Sequence, residues 1–375
     1  MNILHVVNIY FVLPYFIGEQ FRYFKDKGHK LYVACSPSEH LKGYSEKMGF
    51  DYIETPVNRS ISLSEDFKSI RNICKLIKEN NIDLVIGHTP KGGLLAMIAA
   101  KLCNVKHRIY FRHGLVYETS KGFKRFMLKS VDRLSSACAT KVICVSPSVL
   151  AKSNEDKLAN PSKQIILGHG TCNGVDTRNQ FNPALIDSTK INILKEKYNI
   201  SPDDFVIGYS GRLVRDKGII DLIQAFELIE NTEHCKLLLV GMFEERDALP
   251  EDIKNKILSH PQIIYTGFIN GGMENYYALM DLYVLPSYRE GFPTGVLEAQ
   301  SMGLPIVTTR VTGCCDSIVE GVTGLFADNT PQDLQKKIDM IRLDKKIDGR
   351  NGRKWVEENF DSRLVWGEIE KELGL

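Results

Sequence analysis

The chain has 375 residues, 43% hydrophobic and 25% charged, with a formal net charge of +2. That length suits two domains better than one core, and the absence of any apolar run of 18 residues argues against a membrane span. The charge is uneven: residues 1–170 carry 25 Lys and Arg against 14 Asp and Glu, and residues 171–375 carry 23 against 32. A basic half implies an anionic partner, either phosphate, nucleic acid or an acidic membrane surface.

In chain order, the opening MNILHVVNIYFVLPYF lacks a basic n-region and a small-residue cleavage site. It reads as a first core strand over 2–8, not as a signal peptide. Further short runs rich in Val, Ile and Tyr predict strands at 30–36, 51–55, 83–88, 108–113, 141–146 and 164–169. Helical spacing fills gaps between them, as at 70–81 and 91–103. Near-continuous apolar strands are those of parallel sheets buried on both faces. The stretch 168–183, rich in Gly, Asn and Pro, reads as a connection. Strands at 204–210, 236–241, 263–267, 281–287 and 305–309 then repeat the plan, with a helix predicted over 219–231. The expectation is α/β, with two doubly wound domains at 1–180 and 181–355 and a final helical segment at 356–375. Nine scattered cysteines without a CxxC pair suggest reduced thiols in a cytosolic protein.

Open α/β sheets bind ligands beyond the carboxyl ends of their strands. Asn8, His88, His113, Ser146, the Ser210–Arg212 run and Ser287–Glu290 gather at such ends. GRLVRDKG (211–218) follows one strand and precedes a helix. Gly211 permits a tight turn, Arg212 offers a planar fork of donors to a phosphate, and Lys217 places a point charge near a helix start. No GxGxxG or Walker A pattern occurs, which argues against dinucleotide reduction and P-loop ATP hydrolysis. Farther on, YREGFPTGVLEAQSMGLPIV (288–307) sets Glu290 in a loop and Glu298 about one turn into the next helix. Gly291, Phe292, Pro293 and Thr294 make the turn between them. Amides over 292–296 are expected to point outward, ready for a phosphate or sugar hydroxyls.

GRL...KG followed by EGFPTGVLEAQSMGLPIVTT, with LPS at a strand end, EGVTGL (320–325) and NGVD...FNP (173–183), resembles the retaining GT-B glycosyltransferases of family 4. The resemblance covers essentially the whole chain. It implies two Rossmann-like domains facing a central cleft, the first binding acceptor and the second binding a nucleotide sugar. It implies Glu290 beside the donor sugar, Glu298 on the ribose hydroxyls, and Arg212 with Lys217 on the departing diphosphate. His113, in FRHGL, matches a histidine-glycine that lies near donor sugar and acceptor. HTPKGGLLA (88–96) is similar to a stretch of bacterial transferases acting on undecaprenyl-diphosphate-linked sugars. His88, Lys91, Gly18, Arg112 and His113 are therefore the expected acceptor contacts. The final segment is expected to pack back on the first domain, as is common in this fold.

No two aspartates are two apart, so an Asp-x-Asp metal site is not expected, and neither metal nor cofactor is. Many relatives carry a Gly-Gly loop after the first strand. Here the aromatics Tyr10, Phe11, Tyr15 and Phe16 stand there, as core or as an apolar lip for a lipid-linked acceptor. KGFKRFMLKSVDRL (121–134) reads as a basic amphipathic helix suited to an anionic membrane surface. The expected enzyme thus moves a sugar, UDP-linked in the preferred reading, to a polyprenyl-diphosphate-linked saccharide in surface polysaccharide or glycan assembly. It would lie peripherally on the inner face of the cell membrane, in the cytoplasm. A soluble acceptor and nucleotide-sugar epimerisation are the rivals. Nucleic-acid binding ranks below both, because no recognition motif accompanies the basic half.

Overall fold

The computed structural model describes residues 1–58, 62–230 and 232–375, which form two compact units. One comprises Met1–Asn173 with Arg363–Leu375, and the other Gly174–Ser362.

In the first unit the strands are β1 (Asn2–Val6), β2 (Lys30–Cys35), β3 (Asp51–Glu54), β4 (Leu84–Gly87), β5 (His107–Arg112), β6 (Lys141–Cys144) and β7 (Gln164–Ile165). They pair in parallel in the order β3-β2-β1-β4-β5-β6-β7. Leu4, Val6, Val33, Val85 and Val142 are wholly buried, as expected for strands covered on both faces. Each such side chain contributes about 1.5–3 kcal/mol by leaving water. The helix Pro90–Leu102 approaches β5 so closely that a Cβ on Gly93 would meet the Tyr110 ring at 2.4 Å. The helix Ser362–Leu373 packs on this unit: Trp366 Nε1 donates to Asn173 O at 3.0 Å, and Tyr23 Oη to Glu370 at 3.0 Å.

The second unit contains β8 (Phe205–Ser210), β9 (Cys235–Val240), β10 (Ile263–Gly267), β11 (Leu282–Leu285), β12 (Ile306–Thr309) and β13 (Gly324–Ala327). Their order is β10-β9-β8-β11-β12-β13. In both sheets the order reverses direction, between β1 and β4 and again between β8 and β11. That reversal opens a crevice at the carboxyl ends of those strands.

Three local readings differ from the sequence. The strand expected over 164–169 has only two ladder residues, because β7 is an edge that meets β6 alone. The unforeseen β13 is four buried residues, GLFA, between polar turns, too short for a periodicity to show. The helix expected over 219–231 spans Ile219–Glu227, and Asn231 lies outside the described residues. None of the nine cysteines forms a disulfide. No helix of the described residues is long and apolar enough to cross a membrane.

Candidate active site

In the second unit, the loops after β8, β9 and β11 are fastened to one another. Gly211 N donates to Val240 O at 2.9 Å, and Leu213 N to Met242 O at 2.9 Å. A Cβ on Gly241 would lie 1.8 Å from Gly211 O, so only glycine lets these two strand ends meet. Tyr209 Oη donates to Arg212 O at 2.8 Å and fixes that backbone. The Arg212 guanidinium pairs through NH1 with Glu244 Oε2 at 2.9 Å. One of its five donors is so used.

Arg215–Lys217 form a short 3-10 turn that ends in Gly218, with φ 70°. Within it, Asp216 O accepts from Tyr288 N at 2.9 Å, and Asp216 Oδ2 from Arg289 at 3.0 Å. Lys217 Nζ donates to Glu290 Oε1 at 2.5 Å, and Ser287 Oγ reaches the same oxygen at 2.8 Å. Lys217 and Glu290 are thus in contact, and most of each side chain is buried.

The helix Thr294–Ser301 starts after Pro293. Its first turn offers fewer amides than expected over 292–296. Pro293 has none, and Val296 N turns back to Pro293 O at 3.0 Å. Thr294 and Gly295, which open the helix, keep N–H groups without intrahelical partners. A Cβ on Gly313 would lie 2.5 Å from Gly291 O, and Phe292 packs its ring 5.3 Å from that of Phe360, so the turn is closely backed.

Glu298 stands one turn in and makes no contact with Glu290. Its Oε2 accepts from Tyr277 Oη at 2.8 Å. Ser210 Oγ in turn bonds Tyr277 Oη at 2.9 Å and Tyr283 Oη at 3.1 Å. Although Glu298 keeps some exposed surface, its carboxyl group sits among protein atoms. That desolvation raises its pKa to about 7, against the Tyr277 hydrogen bond, which lowers it. Tyr277 and Tyr283 were not foreseen, and Ser210 was expected only from its place at the end of a strand.

In the first unit, His113 follows β5 and His88 follows β4. His88 Nδ1 lies 2.9 Å from His113 Nε2, and the Phe16 ring stacks on His113 at 3.8 Å and 6°. Burial lowers the His113 pKa to about 3, so the ring is neutral at physiological pH. Phe16 therefore belongs to this cluster, and Tyr10 packs on His40 and Tyr44, while Phe11 and Tyr15 are exposed.

Four of the expected acceptor contacts are engaged within the protein. Arg112 is 0% exposed, and its guanidinium bonds Asp132, Ser136, Ser153 and Gln164 inside the unit. It alternates with His113 along the chain, so their side chains face opposite sides of the sheet. His88 is 2% exposed with both ring nitrogens engaged by histidines. Lys91 is buried against Asp66. Gly18 is a turn glycine at φ 53°, and its N–H donates to Leu13 O at 2.9 Å.

Two parallel sheets with this reversed strand order, the second presenting a Lys, an Arg and two glutamates beyond its strand ends, define a glycosyltransferase of the GT-B class. Anabaena HepE, solved with UDP and glucose, shares the fold at a TM-score of 0.83 and 17% identity, over 100% of this chain and 99% of that one. Residues 3–146 match the model of the glycosyl transferase 4-like family, and residues 190–356 that of glycosyl transferases group 1. The capsular polysaccharide biosynthesis glycosyltransferase CapM of Staphylococcus aureus is 34% identical over 98% of this chain and 96% of its own length. An Escherichia coli UDP-Gal:alpha-D-GlcNAc-diphosphoundecaprenol alpha-1,3-galactosyltransferase is 28% identical over 79% of this chain and 75% of its own. The chain belongs to the group 1, family-4-like glycosyltransferases.

Proposed function

We propose that this glycosyltransferase moves a sugar, with retention, from a UDP-sugar to a polyprenyl-diphosphate-linked saccharide during surface polysaccharide assembly. The observation that carries the donor half is the cluster of Arg212, Lys217, Glu290 and the Thr294–Ser301 helix start around the β8 and β11 ends. Breaking a sugar–diphosphate bond builds negative charge on the leaving group. Preset cations and helix-start amides stabilise that charge without a metal ion. Glu298 offers carboxylate oxygens to ribose hydroxyls, and Glu290, held by Lys217 and Ser287, stands by the sugar.

The acceptor half rests on the relatives that act on diphosphoundecaprenol-linked sugars and on His113 in the first unit. An anionic membrane surface is the proposed docking partner, and the inner face of the cell membrane the proposed location. The helix Gly122–Cys138 supports this with Phe123 79% and Phe126 63% exposed beside Lys121 and Lys124. The test is a screen of nucleotide sugars on membranes loaded with lipid-linked acceptors, read by product mass and anomeric configuration. A single lipid-linked hexose adduct is expected, with Lys217→Ala slowing turnover by about 10²–10³-fold. Transfer only to water-soluble acceptors, or donor interconversion without transfer, overturns the reading.

A further inference from the structure

We propose that His5 and His88 are positioning residues that lock the tautomer of His113 to their own, so that its Nδ1 meets the reacting groups in one fixed hydrogen-bonding role. This rests on the reading of His113 as a reaction-centre residue. The three imidazoles form one line: His5 Nδ1 lies 3.1 Å from His88 Nε2, and His88 Nδ1 lies 2.9 Å from His113 Nε2. They come from the ends of β1, β4 and β5, which are neighbours in the sheet. His5 and His88 are 3% and 2% exposed, and the rings of His5 and His88 stack 5.4 Å apart. Phe111 stacks on His88 at 5.5 Å, Phe16 covers His113, and Phe21 meets His5 edge-on. No carboxylate faces any of the three rings among the described residues.

Burial in this aromatic setting disfavours the cation in each ring, so each carries one N–H. Two hydrogen bonds among three such rings allow only two complete arrangements. Either every ring is protonated on Nδ1 and the bonds run from His5 to His113, or every ring is protonated on Nε2 and they run back. A mixed state sets two N–H groups or two lone pairs face to face and forfeits a buried hydrogen bond.

In either arrangement the tautomer of His113 follows those of His88 and His5, so its Nδ1, at the partly exposed end, offers a ligand one fixed role, donor or acceptor.

The test is imidazole 15N–1H correlation spectroscopy on the full chain at neutral pH, which needs neither substrate nor a variant. Three neutral rings protonated at the same nitrogen, all Nδ1 or all Nε2, are expected for His5, His88 and His113. A charged ring, or a mixture of Nδ1 and Nε2 protonation among the three, overturns the proposal. Kinetics supply the second readout. His88→Phe should return His113 to a tautomer mixture and lower kcat at least tenfold, with KM for the nucleotide sugar nearly unchanged. His88→Gln, which keeps an amide donor, should recover part of that loss. An unchanged kcat in His88→Phe counts equally against it. Because the spectrum is independent of turnover, the expected tautomers without lipid-linked product would refute the substrate reading alone.

Discussion

At the scale of single residues, the proposed ribose contact makes the charge state of Glu298 decide nucleotide binding. A carboxylate accepts two ribose hydroxyls; a protonated carboxyl group must donate one of its own hydrogens. Its pKa in the folded, free enzyme is raised to about 7, chiefly by desolvation. Nucleotide affinity is therefore present above pH 7 and lost as pH falls through it, by up to about tenfold per unit. Binding the ribose favours the charged form, so UDP should release protons when it binds near pH 7. Calorimetry in buffers of differing ionisation enthalpy measures that release. Tyr277→Phe removes the hydroxyl that donates to Glu298 at 2.8 Å. The loss of one such bond to a charged group, about 1.5–3 kcal/mol, should weaken UDP binding at pH 7 by at least tenfold and move the affinity midpoint to higher pH. Proton release that is absent in the parent enzyme, or a midpoint unmoved in Tyr277→Phe, would sink this account.

At the scale of elements, the donor cluster depends on how the β8 loop meets the β11 loop. Gly218 is the contact: its φ is +70°, and a Cβ there would lie 2.0 Å from Pro286 O. Gly271 has φ +85° but open space around it. Alanine at either position incurs the left-handed backbone cost of about 1–2 kcal/mol. Only Gly218→Ala must also push the two loops apart, and with them Lys217 from Glu290. It should therefore lower the unfolding midpoint by several degrees more than Gly271→Ala and abolish most turnover, whereas Gly271→Ala keeps it. Equal midpoints and equal activities would show that the loop contact is dispensable.

The same loops show what the sequence carried. The order of strands and helices was legible because buried parallel strands are apolar throughout, and Lys217 and Glu290 were legible because each follows such a strand. Tyr277 and Tyr283 were not. They lie on a short helix and on β11, and they reach Glu298 and Ser210 only through packing across 21 and 73 residues of sequence. Arg112 was misread for a related reason. Periodicity places it beside His113 in the chain, but a strand sends adjacent side chains to opposite faces, and the buried face here happens to hold Asp132. The His5–His88–His113 line joins three strands and has no local pattern at all.

At the scale of the whole molecule, the uneven charge has a testable consequence. The first 170 residues carry the excess of Lys and Arg, yet the helix Gly122–Cys138 does not present all its basic groups to solvent. Lys129 pairs with Asp156 at 2.8 Å, Arg133 donates to Asp156 O and Lys157 O, and Arg125 lies over the Tyr117 ring at 5.5 Å. Lys121, Phe123, Lys124 and Phe126 stay exposed at its amino-terminal end, and Arg133 and Leu134 are exposed farther along. A surface made this way binds anionic lipid through two terms, charge attraction of about 1 kcal/mol per basic residue near the headgroups and insertion of the rings. Salt removes the first, since the screening length falls from about 8 Å at 0.15 M to about 3 Å at 1 M, and leaves the second. In vesicle flotation, binding to phosphatidylserine-containing liposomes should weaken with salt without vanishing. Phe123→Ser with Phe126→Ser should lower it at least tenfold at constant salt, and neutral phosphatidylcholine liposomes should bind poorly throughout. The double variant changes only exposed side chains, so its activity on a water-soluble acceptor analogue should match the parent's. Binding that ignores both salt and the phenylalanines would mean that this helix is a solvated face and that the basic half serves the acceptor's own diphosphate instead.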